Sequence, residues 1–182
     1  MLIREAKLGP TYKQKSKIDA ALWQSISLYN TVLMKCFISL SSGPLISVYD
    51  LISEFSGHGK KSGLNQDSIA ECCKTVHKAV SRWIFPDESG KYAGKPKKKS
   101  LHRKVTTLQF GMASRINLPK DKHVGIPGIG KIRCSKTDFP TGKIKGGRLL
   151  KRASGYYFQW IIDAEQTQII SASVPPAAFG FR

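Results

Sequence analysis

The chain has 182 residues, 41% of them apolar, with 30 Lys/Arg against 12 Asp/Glu and a formal net charge of +18. That length supports one domain, or two small ones, with a real core. A surface this basic repels cationic partners and favours a polyanion. Nucleic acid comes ahead of an anionic membrane, because no basic helix carries a clean apolar face.

The start, MLIREAKLGP, has no apolar core of the kind a signal peptide needs, and no run approaches about 18 apolar residues. We therefore expect a cytoplasmic, nucleoid-associated prokaryotic protein with no membrane partner. Cys36, Cys72, Cys73 and Cys134 form no CxxC pair, and the adjacent Cys72-Cys73 suits neither a zinc knuckle nor an ordinary disulfide. Reduced thiols in or near a core are expected.

In chain order, residues 2–8 read as a short strand, broken by Gly9-Pro10-Thr11, where the Thr11 hydroxyl can cap a helix. From Tyr12 to about Leu40, apolar residues at Ile18, Leu22, Ile26, Tyr29, Leu33 and Phe37 step by three and four, one face of a long helix. Ser41-Ser42-Gly43-Pro44 ends it. Ser47–Phe55 is a shorter helix capped by Ser47. Asn65 caps a third, running to about Phe85, with a stripe at Ile69, Cys72/Cys73, Val76, Val80 and Trp83. Pro86 and the following turn stop it. Three such helices bury their stripes on one another.

Beyond residue 104 the period changes. Val105–Phe110, Arg115–Leu118, Ile129–Cys134, Lys143–Ala153 and Tyr156–Ala164 are short β-like runs separated by Pro and Gly turns. The last two read as a hairpin turning at Ser154-Gly155. Gly146-Gly147 inside a strand signals a bulge or a close backbone approach. The expected fold is α+β: about three helices inserted into a small antiparallel β-barrel of the wedge or OB-like type, closed by the N-terminal strand. The expected division is 1–11 first strand, 12–90 helical recognition domain, 91–104 basic linker, 105–164 barrel and 165–182 tail.

Charge is unevenly spread. Lys91–Lys104, KYAGKPKKKSLHRK, holds seven Lys/Arg and no acid, and the window Lys91–Arg152 holds eighteen against two acids, Asp121 and Asp138. Lys95, Lys97, Lys98, Lys99, Arg103 and Lys104 can each neutralise a phosphate, and Arg148, Lys151 and Arg152 form a second cluster on a strand edge. The alternative for the Lys run is a disordered linker whose charge is incidental. Tyr92, Phe110 and Tyr156, with Tyr157 and Trp160, are available for base stacking; core packing is the competing reading for Tyr157, Phe158 and Trp160.

No catalytic constellation emerges. His58, His77, His102 and His123 are scattered, and no HExxH, GxSxG, P-loop or dinucleotide fingerprint occurs. Asp50/Glu54 and Asp67/Glu71 are i,i+4 pairs, better read as solvated helix faces than as a metal site. Phosphodiester hydrolysis ordinarily needs two or three convergent carboxylates on a divalent ion.

The order of these pieces resembles the N-terminal half of TnpB-type transposon proteins, RNA-guided nucleases related to compact type V CRISPR effectors. Gly9-Pro10-Thr11 with Gln14 is similar to the family's opening "YPT.EQ", with Gly9 in place of Tyr. Tyr29-Asn30 matches its "YN", and Gly94-Lys95-Pro96-Lys97 its "G.P.FK". Gln109-Phe110, Ile116-Asn117-Leu118-Pro119, Ile126-Pro127 with Ile129-Gly130-Lys131, and Pro140-Thr141-Gly142-Lys143 follow its wedge strands; Gly155-Tyr156-Tyr157 matches its "G.YY". No single motif is strong, but eight occur in order across residues 3–181.

The resemblance implies a helical recognition module and a wedge barrel that together hold a structured guide RNA and read a short motif in double-stranded target DNA. Tyr49, Ser53, Gln66, Asp67 and Thr107 would face that motif; Ala70 stands where relatives often carry a base-reading Gln. In relatives the segment matching Phe179-Gly180-Phe181 runs into the first catalytic Asp of a RuvC nuclease, whereas here the position is Arg182. The resemblance thus implies binding without cleavage by this chain alone, no cofactor of its own, and Mg2+ only in a partner nuclease. The alternatives are a subunit completing a RuvC-like site with a separate chain, and a non-specific RNA-binding module or decayed transposon remnant; the expected protein partner is that nuclease chain or a second copy.

Overall fold

The computed structural model describes residues 1–59, 63–100, 106–112, 116–135 and 142–163. Its elements are β1 (Leu2–Gly9), α1 (Tyr12–Ser42), α2 (Val48–Phe55), α3 (Gln66–Ile84), β2 (Thr106–Phe110), β3 (His123–Ile126), β4 (Gly130–Cys134), β5 (Lys143–Arg152) and β6 (Gly155–Asp163). The class is α+β, three helices against one antiparallel sheet.

Each helix begins where a side chain takes over an orphan backbone donor. Thr11 and Gln14 form a reciprocal capping box on α1, the Gln14 Oε1 accepting from Thr11 N at 2.9 Å. Gln14 Nε2 also donates to Lys131 O at 2.7 Å, which ties the start of α1 to β4. Ser47 caps α2 and Asn65 caps α3 through side-chain oxygens. The 31 residues of α1 bury Ile18, Leu22, Ile26, Tyr29 and Leu33, and a second row, Leu28, Val32 and Cys36. That second row widens the buried face beyond the single stripe legible in the sequence. In α3, Ile69, Cys73, Val76 and Val80 turn inward, and the helix packs on both α1 and α2.

The sheet order is β2-β5-β6-β1-β4-β3, every pair antiparallel. β1 lies inside the sheet, paired along Leu2–Leu8 with β6 and only at Leu8 and Gly9 with β4. Instead of the closed barrel expected, these six strands make a curled half-barrel.

Three local expectations are corrected. Residues 116–119 form no strand, although Ile116 is buried. A strand that periodicity did not indicate, β3, follows a tight reversal. Asp121 and Lys122 both take positive φ, 51° and 59°, while Lys120 and His123 exchange backbone hydrogen bonds of 2.9 Å. This is the backbone of a type I′ hairpin turn, normally written with Asn and Gly. The β5–β6 turn falls on Ala153-Ser154, one residue earlier than expected, because Arg152 already pairs with Gly155.

The two glycines of β5 behave as the pattern required. The β5–β6 register shifts between Ile144 and Gly146. A Cβ on Gly146 would sit 2.7 Å from Phe110 O, and one on Gly147 would sit 2.5 Å from the Phe158 ring. One hydrophobic cluster runs from Ile18 and Leu22 through Leu51, Ile69 and Val76 to Leu149, Phe158 and Trp160. Among the described residues no helix is long and apolar enough to cross a membrane.

Candidate nucleic-acid interface

Residues 91–100 take no regular secondary structure, yet four contacts fix them across the helices. Ala93 N donates to Arg82 O at 2.8 Å, at the end of α3. Lys95 Nζ lies 5.2 Å from the ring centres of both Phe37 and Trp83, which form an edge-to-face pair at 5.8 Å. Asn30 on α1 then brackets the backbone of Lys99: its Oδ1 accepts from Lys99 N at 2.8 Å, and its Nδ2 donates to Lys99 O at 3.0 Å. Lys99 Nζ rests 3.9 Å from the centre of the Tyr29 ring. An asparagine amide matches the paired donor and acceptor of an extended backbone, so Asn30 acts like one residue of a neighbouring strand. The rings hold the ammonium groups without neutralising them.

The result is a strap whose charges are held on the surface. Lys95, Lys97 and Lys98 are exposed and make no ion pair among the described residues. Arg103 and Lys104 lie outside the described residues. The incidental-linker alternative does not fit residues 91–100, whose backbone and side chains have specific partners.

The second basic cluster comes apart. Lys151 Nζ bonds Asp19 Oδ1 of α1 at 2.8 Å, and Tyr156 OH donates to the same oxygen at 2.9 Å. Arg152 grips Glu5 of β1 with both terminal nitrogens, at 2.7 and 2.8 Å, and Gln159 Nε2 adds a third bond to that carboxylate at 2.7 Å. These acceptors raise the pKa of Lys151 and of Arg152, in each case chiefly through the hydrogen bond to the carboxylate. Tyr156 is raised too, by burial first and then by Asp19. Arg148 instead lines a cleft of about 420 Å³ between α3 and the bulged stretch of β5, with Asp67, Glu71, Lys74, Gly111 and Lys145.

Of the five residues assigned to motif reading, only Asp67 lines that cleft. Asp67 stands so close to Gly111 that a Cβ there would meet its carboxylate at 2.7 Å. Lys74 is held above its ordinary pKa, mainly by its 2.8 Å bond to Glu71, with Asp67 and Tyr49 adding to the shift. Tyr49 is 82% exposed on α2, and Ser53 and Gln66 are also exposed. Thr107 borders a different space, a small pocket of about 40 Å³ shared with Ser68, Cys72 and Lys99, and its carbonyl accepts from Ser25 Oγ at 3.3 Å.

Of the stacking residues, Tyr92 presents an exposed ring. Phe110 does not: it is 3% exposed and packs 6.0 Å from Phe158, a core residue placed by the inward side of β2. Tyr156 is half-buried, with Lys151 Nζ 5.6 Å from its ring centre and its hydroxyl on Asp19. Phe158 and Trp160 are core, as the packing reading had it.

Among the described residues no three His, Cys, Asp or Glu side chains gather as a metal-holding group. Glu54 is paired with Lys35 at 2.9 Å and Glu71 with Lys74, which uses one member of each i,i+4 acidic pair. The four cysteines are free thiols. Burial pushes Cys72 up to about 12 and Cys36 and Cys73 up to about 11, so they are inert as nucleophiles near neutral pH.

The functional features that sequence reasoning missed are the Asn30 clamp, the Lys74–Glu71 pair and the acids that occupy Lys151 and Arg152. Only Asn30 had a signal, as half of the Tyr29-Asn30 motif. No protein-family model matches this chain, and no curated protein is significantly similar to it in sequence.

Proposed function

We propose that the chain is a nucleic-acid-binding protein that holds a structured guide RNA and contacts the motif-bearing duplex of a DNA target, without cutting either strand itself. The observation that carries this reading is the strap. Three adjacent-to-alternate lysines, Lys95, Lys97 and Lys98, are exposed on a backbone clamped by Asn30 and aromatic rings, with no acid pairing them among the described residues. Fixing cations in advance lowers the ordering cost of gripping a phosphate backbone. In this reading the curled half-barrel is a wedge-type domain, the helices between β1 and β2 are its inserted recognition module, and the Asp67–Arg148 cleft faces the duplex. Cleavage, where it occurs, belongs to a RuvC-like nuclease outside residues 1–182 that carries its own Mg2+.

The test is to purify the chain from cells expressing its native flanking DNA and to sequence the nucleic acid that comes with it. One RNA of defined sequence is expected, released in proportion to salt. Random host RNA, or none, overturns the guide-RNA reading.

A further inference from the structure

The outward face of α1 carries a second open groove beside the strap, of about 380 Å³, lined by Trp23, Ile26, Ser27, Asn30, Thr31, Met34 and Lys98. Trp23 is 50% exposed, and among the described residues its ring meets no aromatic or cationic partner. This separates it from its neighbours. Lys95 is parked on Phe37 and Trp83, and Lys99 on Tyr29, while Lys98 faces the groove with neither a ring nor an acid of the described residues against it. The Trp23 indole, the Lys98 ammonium group and the hydroxyls of Ser27 and Thr31 thus line one space, and no acid among the described residues lines it.

We propose that this groove is a stacking subsite for one unpaired base of the bound RNA, with the base on the Trp23 ring and the adjoining phosphate on Lys98. The inference rests on the nucleic-acid-binding reading above and adds a defined contact to it. Charge complementarity selects the occupant. A nucleotide brings a π-face for the indole and a negative charge for the ammonium within one unit, which an apolar protein helix does not. Asn30 sets the placement, because its two bonds to Lys99 fix the residue next to Lys98 against α1.

The experiment measures binding of a fluorescein-labelled oligouridylate of about twelve nucleotides to the full chain across a salt series. The variants are Trp23→Ala, Trp23→Phe, Lys98→Ala and the triple Lys95→Ala/Lys97→Ala/Lys98→Ala, each checked for unchanged thermal unfolding and for size in solution. Trp23→Ala should weaken binding about tenfold with the salt slope unchanged, and Trp23→Phe should recover most of it. Lys98→Ala should lower the slope by about 0.7. If the triple variant weakens binding while Trp23→Ala binds like the parent, the stacking subsite is overturned and the nucleic-acid reading survives. If neither changes binding, both fall. If the parent is a dimer and Trp23→Ala a monomer, the groove is a contact between copies and the proposal is wrong.

Discussion

Asn30 shows how much one side chain decides here. It lies on α1, 69 residues before Lys99, and satisfies both the donor and the acceptor of that residue's backbone. Removing it leaves two part-buried backbone groups to find water and lets the strap lift from the helix. Asn30→Ala should cost about 1–2 kcal/mol in urea unfolding, and it should weaken RNA binding although it removes no charge. Asn30→Asp keeps the acceptor and loses the donor, and should fall between the two. Equal RNA affinity for Asn30→Ala and the parent would mean that the clamp does not preorganise the site.

The buried thiols give a second residue-level consequence. The fold favours the neutral form of Cys36, Cys72 and Cys73, whose pKa values rise from 9.0 to about 11, 12 and 11. Each contribution is whole below the unfolded value near 9.0 and is lost as pH rises towards the folded value. Lys151 and Tyr156 act in the same alkaline direction, because both are raised in the fold. Urea midpoints should therefore hold from pH 7 to about 8.5 and fall above it. At pH 8 a chromogenic disulfide reagent should label the native chain slowly and all four thiols once guanidinium is added. Rapid native labelling would contradict the burial of Cys36, Cys73 and Cys134.

At the scale of the element, the helices were legible and the sheet only partly so. Caps and stripes are local: Thr11 with Gln14, Ser47 and Asn65 start their helices within three residues of the donor that each satisfies. The curl of the sheet is not local. It depends on β1 entering between β6 and β4, which pair with it from more than 120 positions away. β3 was hidden because its turn uses Asp121-Lys122, a pair with no glycine to announce positive φ. Gly146-Gly147 was legible because a strand rarely spends two glycines without a steric reason. The reason is now specific, and so is its consequence. Gly147→Ala drives a Cβ into the Phe158 ring and should destabilise by about 1–3 kcal/mol. Gly125→Ala, where nothing lies within 4 Å of the new Cβ, is the control and should stay within about 0.5 kcal/mol.

Across the whole molecule, counting charge by window gave the right total and the wrong distribution. The Lys91–Arg152 window has two acids of its own, but three of its cations are met by carboxylates from elsewhere in the chain: Lys145 by Asp163, Lys151 by Asp19 and Arg152 by Glu5. Partners 132 and 147 residues away cannot be read from a linear run. Among the described residues, Lys95, Lys97 and Lys98 of the strap make no ion pair, and neither do Lys120, Lys122, Lys131, Arg133, Lys143 and Arg148 elsewhere in the window. The two basic clusters should therefore differ in a salt titration. Replacing Lys95, Lys97 and Lys98 by Ala should lower the slope of log affinity against log salt by about 2 on single-stranded RNA. Lys151→Ala with Arg152→Ala should lower it by less than 1, since those side chains already spend their charge within the protein. Freeing them tests the same logic from the other side. Asp19→Asn with Glu5→Gln leaves both cations without their acids and should raise affinity and steepen the slope. Both pairs are solvent-accessible, so the accompanying loss of stability should be small. If the Lys151/Arg152 double variant flattens the slope as much as the strap variant, the ion pairs open on binding and both clusters touch phosphate.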